Sequence, residues 1–225
     1  MTAGTACGCT DFVRLYADGL ADRWHASVTE TNLGHGGLTA AGLLDAVDDD
    51  TQQRALVAAA DVVLVTIGAN DLTPALKAWD ASPGQDEETC GGTCDTAALG
   101  RVGDDIGQIL AVVHELRRGK PTLVLVTTYW NVFEDGDVAA GDRGQEYLRW
   151  SDGLTRRLNA AITDAAHAQG AEVVDLYAPF KADGRKDPTP LLAGDGDHPD
   201  AAGHRLIAET LLQATPAWPA AASAS

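Results

Sequence analysis

Asp195, Gly196, Asp197, His198 and Pro199 place a carboxylate three residues before a histidine within one short loop. A carboxylate that close to an imidazole holds one ring nitrogen and leaves the other free to take a proton, which is the orienting half of a nucleophile, histidine and acid device. The half it lacks is a nucleophile. Acidic loops before helices also arise for structural reasons, and Asp200 as a helix cap accounts for part of the pattern. A calcium loop is a poorer match, because the D-x-D-x-D-G spacing is absent.

Two other segments carry groups suited to the same chemistry. Gly68-Ala69-Asn70-Asp71 follows an apolar run, and Asn70 offers an amide donor to an anionic oxygen beside a glycine that permits a tight turn. Judged alone, Asn-Asp after a strand is an ordinary turn or helix cap. Asn32 to Thr39, with Gly34, Gly36 and Gly37, lets a backbone N–H approach a ligand at the entrance of a helix, making Gly37 a candidate oxyanion donor. It also reads as a flexible connection, and its spacing is not that of a dinucleotide loop. Taken together, a glycine amide, an asparagine amide and an Asp-His pair make up an acyl-transfer site except for the attacking group.

The elements that position these segments alternate between strand and helix. Apolar runs at Asp61–Ile67, Thr122–Thr127 and Ala171–Leu176 read as strands, with a weaker one at Ser27–Thr31. Helical spacing is expected over Asp11–Trp24, Leu38–Val47, Thr51–Ala60, Thr96–Arg118, Gln145–His167 and Ala201–Leu212, the last capped by Asp200. This order predicts an α/β protein whose parallel sheet is covered on both faces. In such a sheet ligands bind beyond the carboxyl ends of the strands, where all three segments fall. Tyr129, Trp130 and Phe133 also follow a strand there, as candidates to line a substrate pocket or to pack in the core.

The 225 residues, 45% hydrophobic, suffice for one domain, expected over 1–213. A tail rich in Ala, Pro and Ser, 214–225, reads as poorly ordered. A formal charge of −17 repels phosphate backbones, so nucleic acid is excluded as a partner. There is no apolar run long enough to span a membrane and no signal peptide, so the chain as it stands reads as cytoplasmic. Cysteines come in two close pairs, Cys7 with Cys9 and Cys90 with Cys94, the second inside a polar insertion at 86–95. Disulfides are the first reading, with free thiols and a zinc site as alternatives, although neither spacing is the usual C-x2-C. Disulfides imply an oxidising compartment, in conflict with the absent signal peptide.

The three segments resemble motifs of the SGNH or GDSL esterases and lipases, and the resemblance covers nearly the whole chain. It implies a flavodoxin-like three-layer α/β/α fold. In that family a G-D-S motif after the first strand supplies the serine, a glycine in N-x-G-x-x-G-x-T and the asparagine of G-x-N-D complete the oxyanion hole, and D-x-x-H supplies acid and base. Gly37, Asn70, Asp195 and His198 match the last three motifs. The first differs: Met1-Thr2-Ala3-Gly4 looks like the end of G-D-S-M-T-A-G, so the chain begins just past the serine. The first strand, central in the resembled fold, is then also missing, and each neighbour loses a ladder.

The leading expectation is that the protein extends upstream through that strand, its serine and a secretory signal. The alternatives are an inactive ester- or lipid-binding protein and a substitute nucleophile at Thr2. With the serine, the resemblance implies hydrolysis of a small-molecule ester, His198 acting as base and then acid, Asp195 fixing its tautomer, and Gly37 and Asn70 binding the oxyanion. Tyr129 and Trp130 would contact substrate. This chemistry needs no metal and no cofactor.

Overall fold

The computed structural model describes residues 7–81 and 93–217, the side chains of 93–95 excepted. The sheet grows from three apolar runs. Val62–Val65 (β1), Leu123–Thr127 (β2) and Glu172–Val174 (β3) pair in parallel in the order β1-β2-β3, with Val63 opposite Val124 and Val126 opposite Val173. Alternation along each strand sends successive side chains to opposite faces. Val124 and Val126 thus enter one core while Leu125, between them, enters the other.

Helices cover both faces. Phe12–Trp24 (α1) and Ala201–Ala214 (α9) pack Phe12, Tyr16, Leu20, Ile207 and Leu211 against Leu125 and Val174. On the other face Ala40–Asp49 (α2), Thr93–Leu116 (α5) and Gly144–Ala168 (α7) bury Ile106, Leu110, Leu154 and Leu158 against Val124 and Val126. Thr51–Ala59 (α3), Thr73–Ala81 (α4), Gly136–Asp142 (α6) and Tyr177–Lys181 (α8) complete the helices described. The expected α/β/α layering is therefore present.

Short polar side chains set the helix starts. Asp11 accepts the Arg14 N–H, Thr39 that of Gly42, and Asp200 those of Ala202 and Gly203. Each satisfies donors that the first turn leaves unpaired. At the opposite end of the sheet the buried Arg117 donates to the Ala58 and Pro121 carbonyls and to Thr122 Oγ1, fixing the entries of β1 and β2.

Three expectations need correction. Ser27–Thr31 is not a strand: a strand needs a ladder partner, and this segment lies across a cavity from the outer edge of β1. The helices α4, α6 and α8 were not anticipated; α6 and α8 are too short for a helical period to declare itself. The tail does not begin at Ala214, because α9 includes that residue. Thr215 is buried, its Oγ1 2.7 Å from Tyr16 Oη and its carbonyl accepting from Arg23. The rest of the expected tail, 218–225, falls outside the described residues.

The cavity beside β1 measures about 490 Å³. Val62, Leu64, Val28, Leu20, Leu33 and Tyr129 are among the side chains that line it. The outer backbone edge of β1 has no ladder partner among the described residues. β1 is correspondingly less buried than β2, which is paired on both sides.

Candidate active site

The Asp195–Pro199 loop is held by its own backbone. Asp195 Oδ1 accepts the N–H groups of Asp197 and His198, each at 3.0 Å, and Gly196 takes a left-handed φ of 69° between them. Asp195 Oδ2 is thereby aimed at His198 Nδ1, 2.8 Å away, whereas the nearest oxygen of Asp197 stands at 3.9 Å. Distance thus selects Asp195 as the partner. Burial pushes the Asp195 carboxyl up, but those two N–H groups and the His198 ring outweigh it and hold it below the ordinary carboxylate value. Nε2 of His198 makes no hydrogen bond among the described residues, so the ring is oriented through one nitrogen and unengaged at the other.

The loop is stitched down on both sides. Ala193 N–H donates to the His198 carbonyl at 2.7 Å, Leu192 and Pro199 form an antiparallel bridge, and Asp200 N–H reaches the Leu191 carbonyl. From the other side Asp135 N–H donates to the Gly196 carbonyl at 2.7 Å. A side chain at Gly196 would meet Val138 Cβ at 2.7 Å, so both its φ and this close approach require glycine.

Behind this contact sits a buried charge cluster that no local pattern of residues singles out. Lys181 Nζ lies 2.7 Å from Asp152 Oδ1 and 3.0 Å from Asp135 Oδ2. Tyr177 Oη donates to the same Asp152 oxygen at 2.7 Å. Lys181 and Asp135 are 46 residues apart in the chain, and no local spacing signals their meeting. The isolated Asp135 before Gly136 is visible in the sequence only as a helix cap, which it also is.

Asn70 and Gly37 are brought to one place. Asn70 opens a single helical turn after β1, and its Nδ2 donates to the Leu38 carbonyl at 2.9 Å. Its neighbour Asp71 accepts the Ala40 N–H at 2.9 Å. These bonds fasten the loop bearing Gly37 to the end of β1. Gly37 has φ 79°, and its N–H has no partner among the described residues. Asn70 Nδ2 carries two hydrogens, so one remains after the bond to Leu38.

Tyr129 lines the cavity together with Asn70 and His35. Burial raises its hydroxyl far above the ordinary tyrosine value; the Ala69 backbone opposes this, while the charges of Asp71 and Asp197 add to it. The turn after β1 and the loop of His198 therefore both act on this ring. Trp130 differs from expectation: it is 1% exposed and stacks on Phe180 at 4.2 Å between centroids, which makes it a core residue. Phe133 is likewise buried, stacked on Trp150. The next residue in an extended segment turns to the opposite side, which separates Tyr129 from Trp130.

Cys7 and Cys9 are joined as a disulfide. Cys90, and with it the second pair, lies outside the described residues. No helix among the described residues is long and apolar enough to cross a membrane.

The model of the GDSL-like Lipase/Acylhydrolase family matches residues 1–206. No curated protein sequence matches the chain. Among solved structures, a lipase from a goat rumen metagenome superimposes with a TM-score of 0.74 at 21% identity, over 94% of this chain and 91% of that one. An acetyl xylan esterase gives 0.59 at 17% identity, over 91% and 90%. A lipase/acylhydrolase from Enterococcus faecalis gives 0.56 at 19% identity, over 90% and 83%. These likenesses fix the fold, and the family match covers most of the chain. The protein belongs to the GDSL-like lipase/acylhydrolase family of ester hydrolases.

Proposed function

We propose that the protein hydrolyses small-molecule carboxylic esters by serine-type acyl transfer, with Asp195 and His198 as acid and base. The observation that carries this reading is the 2.8 Å contact from Asp195 Oδ2 to His198 Nδ1, with Nε2 left unengaged. A base must be oriented through one nitrogen and open at the other to take a hydroxyl proton and return it to the leaving alcohol. Gly37 N–H and the second Nδ2 hydrogen of Asn70 are the oxyanion donors, each of a kind worth about 2.7 to 4 kcal/mol in the transition state. Tyr129 forms a wall of the substrate pocket.

The attacking serine belongs to a segment outside the described residues. Support comes from the cavity beside β1, where apolar side chains face a strand edge that has no ladder partner among the described residues. An additional parallel strand there would satisfy the edge and end beside Asn70, at the carboxyl side of the sheet where the other groups lie.

The test is hydrolysis of p-nitrophenyl acetate by two purified forms, this chain and one extended upstream to the next in-frame start, each checked for folding by circular dichroism. Turnover by the extended form alone, lost in its His198→Ala variant, is the expected result. Full activity in that variant, or a folded extended form that binds esters without turnover, would overturn the hydrolase reading in favour of a binding protein.

A further inference from the structure

Outside the proposed hydrolytic site, one other cluster among the described residues has the chemistry of a ligand set. Cys7 Sγ, Cys9 Sγ and a ring nitrogen of His204 all lie within 4.8 Å of one another. Gly8, at φ 62°, turns the chain between the cysteines so that both sulfurs face the same side, and the Cys9 N–H points at Cys7 Sγ at 3.3 Å. A backbone N–H directed at sulfur stabilises the thiolate over the thiol.

His204 supplies the independent sign of a ligand. It is 1% exposed in the first turn of α9, against the ring of Phe12, and its Nδ1 has no hydrogen-bond partner among the described residues. A buried polar nitrogen without a partner is costly, and such groups are rare in folded proteins. Burial pushes the pKa of the ring down despite the opposing charges of Asp11 and Asp200, which keeps the imidazole in the neutral form that a metal binds.

We propose that, once the Cys7–Cys9 disulfide is reduced, Cys7, Cys9 and His204 bind one zinc ion. Two thiolates and an imidazole form a borderline-soft donor set that suits Zn²⁺, with water at the fourth tetrahedral position. Zinc bonds of about 2.3 Å to sulfur and about 2.0 Å to nitrogen hold their ligand atoms farther apart than a disulfide holds its sulfurs, so the two sulfurs separate on reduction while the ring nitrogen, within 4.8 Å of both, closes on the ion. The steps balance. A water-soluble phosphine takes the oxygen of one water and delivers two electrons and two protons to the sulfurs. Zinc then displaces both thiol protons as two Zn–S bonds and one Zn–N bond form. The ion would tie the segment preceding α1 to the first turn of α9, six residues beyond His198, a link that the Cys7–Cys9 disulfide, closed within one segment, does not make.

The proposal does not depend on hydrolysis, and its test reads metal alone. In a Cys90→Ser/Cys94→Ser background, the phosphine-reduced protein, freed of phosphine, is titrated with Co²⁺ and then Zn²⁺. The expected result is one Co²⁺ per chain with thiolate-to-cobalt charge-transfer absorption, displaced by Zn²⁺. The band should be absent from the disulfide form and lost in Cys7→Ser and Cys9→Ser. Because His204 is buried and its replacement endangers the fold, its role is read in the unsubstituted ring, whose NMR resonances should move on zinc addition. A reduced protein without the band, a band that survives Cys9→Ser, or unmoved His204 resonances would each overturn the proposal.

Discussion

One pair of polar groups lies within the Asp195–Pro199 loop and a charge cluster lies behind it, and the two differ chiefly in their access to water. The side chains of Asp195 and His198 are 44% and 36% exposed, while those of Asp135 and Lys181 are 4% and 9% exposed. An exposed pair contributes little to stability because solvent screens it, but its imidazole can exchange a proton. A buried pair cannot lose one partner without leaving an uncompensated charge. The difference teaches that a carboxylate–imidazole pair and a carboxylate–ammonium pair joined through one Gly196 contact differ by burial in what they can do, the first open to proton exchange and the second closed to it.

The largest effect that would sharpen this comparison is on turnover. In an esterolytic form of the protein, His198→Ala should lower kcat by about 10⁴-fold or more while leaving the melting temperature nearly unchanged. A large fall in stability would erase the distinction. The converse variant, Lys181→Met, should cost about 3–5 kcal/mol in denaturant unfolding, because Asp135 and Asp152 lose their shared cation. If its stability matched the parent, the buried cluster would not be the structural member. Asn70→Ala comes next, with kcat expected to fall about 10²–10³-fold. Loss of its bond to the Leu38 carbonyl should also speed hydrogen exchange at residues 34–40.

Acid titration gives a smaller effect. The Asp195 carboxyl is held below its ordinary value in the folded chain, so its contribution is fully present above the unfolded pKa of about 3.9. It fades as pH falls through the lower folded value. Asp195→Asn should therefore flatten the acid limb of stability against pH, and an unchanged limb would show that the pair is broken in solution. The smallest change belongs to Arg14→Ala, whose partners Asp18 and Glu30 lie at the surface with it. Chemical denaturation should give a midpoint indistinguishable from that of the parent.

Much of the fold was legible because its signals are local. Continuous apolar runs gave β1, β2 and β3, helical spacing gave α1 and α2 to within two residues at their starts, and Asp200 before an apolar stripe gave the start of α9. Val28 and Thr29 carry the same strand preference, yet form no strand, since a ladder depends on a partner far along the chain.

The same division holds at the site. Sequence by itself determined the Asp195–His198 pair, because a carboxylate three residues before a histidine is brought to it by one turn of backbone whose own N–H groups fix the geometry. Only the tertiary structure decided that Tyr129 faces the cavity while Trp130 fills the core, that Asn70 fastens the Gly37 loop, and that Lys181 closes on Asp135 and Asp152. Those contacts join residues tens of positions apart, and their energies come from burial, which exists only once the layers have closed around the sheet.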